Sequence, residues 1–138
     1  CHWSENSGFT GLFGGTIEDS KIAAVYDIIK QQMEQYLSDQ GLESTKYSLQ
    51  ESFINVRKKS EKSDSHNCTD SSFTVIYFIN VPAQSGNLYL NDGSEETTIE
   101  PQNYDFIIVP STYFRRTDAS DAEEDRISLV CEFFYYGD

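Results

Sequence analysis

Few residues in this chain could do chemistry, and their types narrow what that chemistry would be. The 138 residues include two histidines, His2 and His66, and three cysteines, Cys1, Cys68 and Cys131. The cysteines are far apart, odd in number and without a C-x-x-C pair, so they form neither a disulfide framework nor a zinc-site spacing. A reduced setting is the simpler expectation. His66-Asn67-Cys68 sets an imidazole and a thiol close together in a polar stretch. There His66 is expected to be a solvated loop histidine and Cys68 a small, half-buried filler whose thiol is reactive only if exposed. Asn67-Cys68-Thr69 also fits the glycosylation triplet, which is short enough to recur by chance.

The arginines carry the other candidate chemistry. Arg126 and Ser128 lie two apart in a strand-like run and so point to one face. Arg126 has Glu123, Glu124 and Asp125 immediately before it as candidate ion-pair partners. Arg115 and Arg116 are neighbours on a short strand and face opposite ways, one free to enter the interior and neutralise a buried acid, the other to reach solvent. Arg115 with Arg126 also makes a candidate basic cleft for an anionic ligand. Arg57, Lys58, Lys59 and Lys62 are the only cationic cluster, expected to be a solvated loop, with an acidic partner surface or a second copy as the alternative.

These residues must be positioned by elements that the apolar pattern reveals. Residues 1–15 read as an irregular lead that Trp3, Phe9, Leu12 and Phe13 could pack down. Residues 16–40 read as one helix: Thr16 caps it with Asp19 as its partner. Ile22, Val25, Tyr26, Ile29, Met33, Tyr36 and Leu37 form one stripe, and Gly41 stops it. From 47 to 136 the period is that of strands: 47–57, 72–81, 87–91, 97–100, 104–109, 113–117 and 126–136, with 58–71 a long polar loop and 118–125 an acidic one. Asp92-Gly93 is a hairpin signal. A helix followed by seven or eight strands with short turns predicts a mainly β sandwich or jelly roll, in one domain over 1–138.

Composition limits the partners. A net charge of −13, from 23 acids against 10 bases, repels a phosphate backbone and an anionic membrane and describes a soluble, acidic surface. No apolar run approaches the ~20 residues of a membrane helix, and no signal-peptide pattern is present. The start at Cys1 reads as trimming or a partial chain; a mature lipoprotein also begins with cysteine.

Four strings, in this order and spacing, make most of the chain resemble the short 2-oxoglutarate/iron(II) oxygenases: Ser52-Phe53-Ile54-Asn55-Val56; Phe73 to Pro82 with Tyr77 inside, followed by Gly86-Asn87-Leu88; Pro101 to Ser111; and Arg126-Ile127-Ser128. The resemblance implies a double-stranded β-helix, cupin-like, with the N-terminal amphipathic helix packed on the sheet. It also implies a site. In active members two histidines and a carboxylate hold iron and leave positions open for 2-oxoglutarate and oxygen. By that resemblance the metal positions fall on His66, Cys68 and Arg115, and the 2-oxoglutarate positions on Arg126, Ser128 and Tyr77. Arginine stays protonated and offers no lone pair, so the metal site is expected to be vestigial and the cofactor to be none. His2 would have to fold back into the barrel mouth to complete a triad. Tyr104 stands where the family has a turn glycine. The expectation is thus a non-catalytic structural or interaction domain, with a protein partner or copies of itself, and, since such short chains resemble those of bacterial viruses, a virion-associated one. The alternative is an active iron(II)/2-oxoglutarate dioxygenase in which His66 and Cys68 bind iron and Arg126 holds the cosubstrate.

Overall fold

The computed structural model describes residues 20–137. The N-terminal lead, with Cys1, His2, Trp3 and the aromatics that follow, lies outside the described residues, as do Thr16, Asp19 and the side chain of Ile22. One helix, α1 (Ser20–Asp39), precedes eight strands: β1 (Tyr47–Arg57), β2 (Ser63–His66), β3 (Phe73–Asn80), β4 (Leu88–Asn91), β5 (Glu96–Ile99), β6 (Phe106–Pro110), β7 (Phe114–Thr117) and β8 (Arg126–Tyr135). The strands form two four-stranded antiparallel sheets, ordered β1-β8-β3-β6 and β2-β7-β4-β5. That is a double-stranded β-helix, the mainly β fold that the sequence predicts.

The helix forms because its apolar residues recur on one stripe. Ile29, Met33 and Leu37 are fully buried, and Val25, Tyr26 and Tyr36 pack beside them. They meet Val75 of β3 and Leu129, Cys131 and Phe133 of β8, on the outer face of the larger sheet. Burial of this kind contributes about 1.5–3 kcal/mol per large side chain. The helix ends where Gly41 takes φ +75°, which lets the Leu42 amide donate back to the Leu37 carbonyl at 2.9 Å. Glycine adopts that left-handed turn without a Cβ penalty.

β8 is the centre of the larger sheet, with β1 on one side and β3 on the other. Its side chains alternate. Leu129, Cys131 and Phe133 go to the helix, while Ser128, Val130 and Glu132 face the second sheet. Ile76, Phe78, Leu88, Leu90 and Val109 fill the space between the sheets. At the chain's end Phe133 and Tyr135 belong to the helix-side core, whereas Phe134 and Tyr136 are exposed.

Several expected boundaries move. The polar stretch 58–71 contains a strand, β2, expected as loop. Its sequence, SDSH, has no apolar alternation. It is a strand only because β7 offers it an edge, at Ser63↔Thr117 and His66↔Arg115. β5 sits one residue earlier than its pattern suggests. Arg57, read with the solvated basic run, ends β1 and is only 2% exposed. Tyr104 holds the turn before β6 at φ +71° with its ring out in solvent. The backbone keeps the conformation a glycine would take there, at a cost on the order of 1–3 kcal/mol. The Asp92-Gly93 signal does mark the β4–β5 hairpin, where Asp92 Oδ1 accepts from the Ser94 and Glu95 amides at 2.8 and 2.9 Å. Among the described residues no helix is long and apolar enough to cross a membrane.

Candidate functional site

The inner face of β8 places polar side chains between the sheets at two levels. Arg126 and Ser128 are at one, and Glu132 is at the other, four residues further along the strand. Val130 separates them.

At the Glu132 level the interior holds an ion pair. Arg115 enters from β7 on the smaller sheet and Glu132 from β8 on the larger one. Their closest atoms, Nη1 and Oε1, are 3.5 Å apart, with side chains 1% and 2% exposed. Oε2 of Glu132 accepts from Ser71 Oγ at 2.6 Å and from Thr74 Oγ1 at 2.7 Å, and Ser111 Oγ stands next to both hydroxyls at 2.8 and 2.9 Å. Cys68 is buried at the edge of this group, its Sγ 3.3 Å from Ser71 Oγ. Burial lowers the pKa of Arg115 from its ordinary value, and the Glu132 carboxylate opposes that shift. Arg116, its neighbour, points the other way and grips Glu96 with two hydrogen bonds, 2.8 and 3.1 Å, its guanidinium 3.8 Å above the Tyr89 ring.

His66 sits on β2 directly opposite Arg115 and is half-buried, so it is not the solvated loop histidine expected. Its Nδ1 lies 2.9 Å from the Asp64 carbonyl oxygen; a carbonyl only accepts, so Nδ1 carries the proton. Burial is the main cause that lowers the His66 pKa, which favours the neutral ring. The structure therefore brings His66, Cys68 and Arg115 to one level, with Glu132 among them. Among the described residues, no group of three or more His, Cys, Asp or Glu side chains is placed to hold a metal ion. Asn67 gives its side-chain amide to the Thr112 carbonyl at 3.0 Å, a bond that a glycan on that nitrogen would strain.

At the Arg126 level there is a cavity of about 20 Å³. Arg126 and Ser128 of β8 line it on the shared face that their spacing predicts, with Asn55 and Arg57 of β1 beside them and Thr117 of β7 across. Arg126 does not turn to the acids before it. Its Nη1 donates to the carbonyls of Gly86 at 2.8 Å and Ser85 at 3.3 Å. Its pKa falls to about 10, first through burial and then through the neighbouring Arg57. Arg57 is likewise lowered by burial. Asn55 is 7% exposed, and its Oδ1 finds no hydrogen-bond donor among the described residues. Arg115 is absent from the lining of this cavity.

Tyr77 does not join Arg126 and Ser128. It is one residue out of phase with Ile76 and Phe78, which line the cavity, so it packs on the helix side, stacked on Phe106 at 4.5 Å between ring centres. Glu132 was not singled out by sequence, Asn55 was read only as part of a strand, and Arg57 only as part of a basic run expected to be solvated. Glu132 did leave a signal: it is the lone acid in the apolar run from Ile127 to Tyr136, in phase with Arg126 and Ser128. Arg57 left none, because its basic neighbours mark the run as solvated.

The turn that offers carbonyls to Arg126 depends on Gly86. Its φ is +94°, and a Cβ there would lie 2.9 Å from the Asp118 Cβ. Gly86→Ala is expected to destabilise the fold by roughly 1–3 kcal/mol, read as a lower midpoint in thermal unfolding. An unchanged midpoint would mean that the turn relaxes freely and does not hold Arg126.

No family model matches the chain, and no curated protein does. Solved structures do. A prolyl hydroxylase from Trichoplax adhaerens, in complex with a hypoxia inducible factor peptide, superimposes with a TM-score of 0.68 at 14% identity, over 96% of this chain and 66% of that one. The viral collagen prolyl hydroxylase of Paramecium Bursaria Chlorella virus-1, in its 2OG complex, gives 0.66 at 15% identity, over 95% and 80%. A 2OG-Fe(II) oxygenase family oxidoreductase from Burkholderia pseudomallei gives 0.60 at 18% identity, over 66% of this chain. The present chain spans 45% of the length of that oxidoreductase. The resemblance read from four short strings is thus matched by a likeness of whole folds, and the chain carries the double-stranded β-helix of the 2OG-Fe(II) oxygenases.

Proposed function

We propose that this domain is a non-catalytic structural or interaction module on an oxygenase-like fold. One observation carries the reading: a fully buried guanidinium, that of Arg115, stands 3.5 Å from a buried carboxylate at the level where His66 and Cys68 also lie. The oxygenase fold implies iron(II) and 2-oxoglutarate, and the residues present do not fit either. A permanent cation repels a dication and gives it no lone pair. The nearby carboxylate is already engaged by that cation and by the hydroxyls of Ser71, Thr74 and, at 3.4 Å, Ser111. The cavity at Arg126 has room for a group of about one water molecule, less than a five-carbon dicarboxylate needs. Jelly rolls serve as assembly modules, and fold alone does not set function. The role proposed is therefore assembly with a protein partner or with copies of the chain, in a virion where the family resemblance holds.

Anaerobic titration with iron(II), with and without 2-oxoglutarate, tests this. No saturable binding is expected in either series. Stoichiometric iron binding that 2-oxoglutarate strengthens would overturn the reading in favour of an active dioxygenase that uses His66, Cys68 and Arg126.

A further inference from the structure

β6 is an edge strand. It pairs with β3 on one side, and among the described residues no strand lies on the other. The ladder to β3 fixes which of its residues turn their backbone inward. The Phe78 amide donates to the Asp105 carbonyl at 3.0 Å, and the Ser111 amide to the Ser72 carbonyl at 2.9 Å. Hydrogen-bonded pairs in an antiparallel ladder recur at every second residue. Ile107, opposite Ile76, and Val109, opposite Thr74, therefore also turn their amides and carbonyls to β3. Phe106 and Ile108 turn theirs to the open side. Among the described residues nothing bonds to them there.

The two sheets end on four strands, β1, β6, β2 and β5. Three of them carry charge: Glu51 and Arg57 in β1, Asp64 in β2 and Glu96 in β5. β6, Phe-Ile-Ile-Val-Pro, carries none. Charged side chains are what commonly keeps sheet edges from pairing with one another, and β6 lacks that protection. Phe106, Ile107 and Ile108 are each only half-buried, and Tyr104, two residues earlier, is 68% exposed. Two chains of net charge −13 repel each other, so they meet best where the surface carries no charge. This edge also fits itself. About a twofold axis at Ile107, an antiparallel alignment sets Phe106 against the partner's Ile108, and Ile108 against the partner's Phe106. These are the residues whose backbone groups are open. Each such pair exchanges two hydrogen bonds, and each brings an aromatic ring against a β-branched side chain.

We propose that β6 joins two copies of this chain, edge to edge and antiparallel about Ile107, so that their larger sheets become one. The contact is isologous and closes at the dimer. The proposal deepens the assembly reading above and rests on it. Its test needs no iron, so a chain that binds no iron and stays monomeric overturns this contact alone.

The test is sedimentation of the intact chain over a range of concentrations. A reversible monomer–dimer equilibrium is expected. Added salt is expected to tighten it, because salt screens the repulsion between two acidic chains. Ile108→Pro removes the amide that faces the partner and leaves the ladder to β3 intact, as proline on an edge strand does. It is expected to weaken the dimer roughly tenfold to a hundredfold, through the hydrogen bonds lost in both copies. Ile108→Val, which keeps the amide, is expected to remain a dimer. Ile107→Cys reads the register. Residues in a non-hydrogen-bonded pair stand about 4.5 Å apart at Cα, within disulfide reach, and Cys68 and Cys131 are buried. Mild oxidation is expected to link position 107 to itself, seen by mass spectrometry of the cross-linked peptide, whereas Thr98→Cys on the β5 edge is expected to give no self-link. A chain that is monomeric at every concentration would overturn the proposal. So would a dimer that salt weakens, one that Ile108→Pro leaves unchanged, or a self-link at position 98 without one at 107. If Ile108→Pro does not fold, the link at position 107 and the response to salt decide the question.

Discussion

Arg115→Met is expected to lower the free energy of unfolding by about 3–5 kcal/mol, the usual cost of removing one partner of a buried ion pair. Methionine fills most of the volume, so the loss reports mainly on charge. Glu132, with its side chain 2% exposed, is left as a carboxylate in the interior, with Ser71 and Thr74 still donating to it but no cation nearby. Glu132→Gln removes the carboxylate that stands 3.5 Å from the Arg115 guanidinium, and is expected to be destabilising as well. The double variant Arg115→Met/Glu132→Gln removes both charges while the glutamine oxygen still accepts from the two hydroxyls. It should therefore cost less than the sum of the single changes, with a coupling of about 0.5–3 kcal/mol. Urea unfolding of the four proteins gives all of these values. A loss below about 1 kcal/mol for Arg115→Met is the behaviour of a solvated surface pair, and would mean that the interior at this level is wet. Since a domain's whole stability is typically about 5–15 kcal/mol, the single variants should sit close to the limit of folding.

Phe133→Ala should cost about 3–5 kcal/mol, the range for truncating a buried aromatic. Phe133 is fully buried. It lies between Leu49 of β1 and Phe73 of β3 in the sheet, edge-on to the Tyr47 ring at 5.5 Å, with the helix stripe above it. The helix cannot sink into the gap without breaking its contacts with Val75 and Leu129. Phe134→Ala is the matched control. It differs by one position in the same strand, yet its ring is 43% exposed, and the change should stay within about 0.5 kcal/mol, as for most surface substitutions. Equal losses at the two positions would show that the alternation of β8 is not as described.

How much of this was legible in the sequence follows from the reach of each signal. The helix stripe was, because 3.6-residue periodicity is local, and Ile29, Met33 and Leu37 are the residues that ended up fully buried. β1 was, over Tyr47–Arg57, because aromatic and β-branched residues favour a pleated surface. The shared face of Arg126 and Ser128 was, since strand alternation has a period of two. The same period sent Arg115 and Arg116 opposite ways, but it does not say which face is inside. β2 was not legible: Ser-Asp-Ser-His is a strand only because β7 supplies an edge.

The amino-acid sequence by itself determined the class of fold, the places of its apolar elements along the chain, and that the side chain at position 115 is one that offers no lone pair. The tertiary structure alone decided which of these residues meet. Arg57 faces Arg126 because β1 pairs with β8, some seventy residues later in the chain. Glu132 meets Arg115 because the two sheets close on each other. Tyr77 misses the cavity because β3 pairs with β8 so that Ile76 stands opposite Val130, on the cavity side, and Tyr77 opposite Leu129, on the helix side. Local patterns are written in neighbours along the chain. Charge pairing and cavities are made by antiparallel partners far apart in it, whose register is set only when the whole core packs.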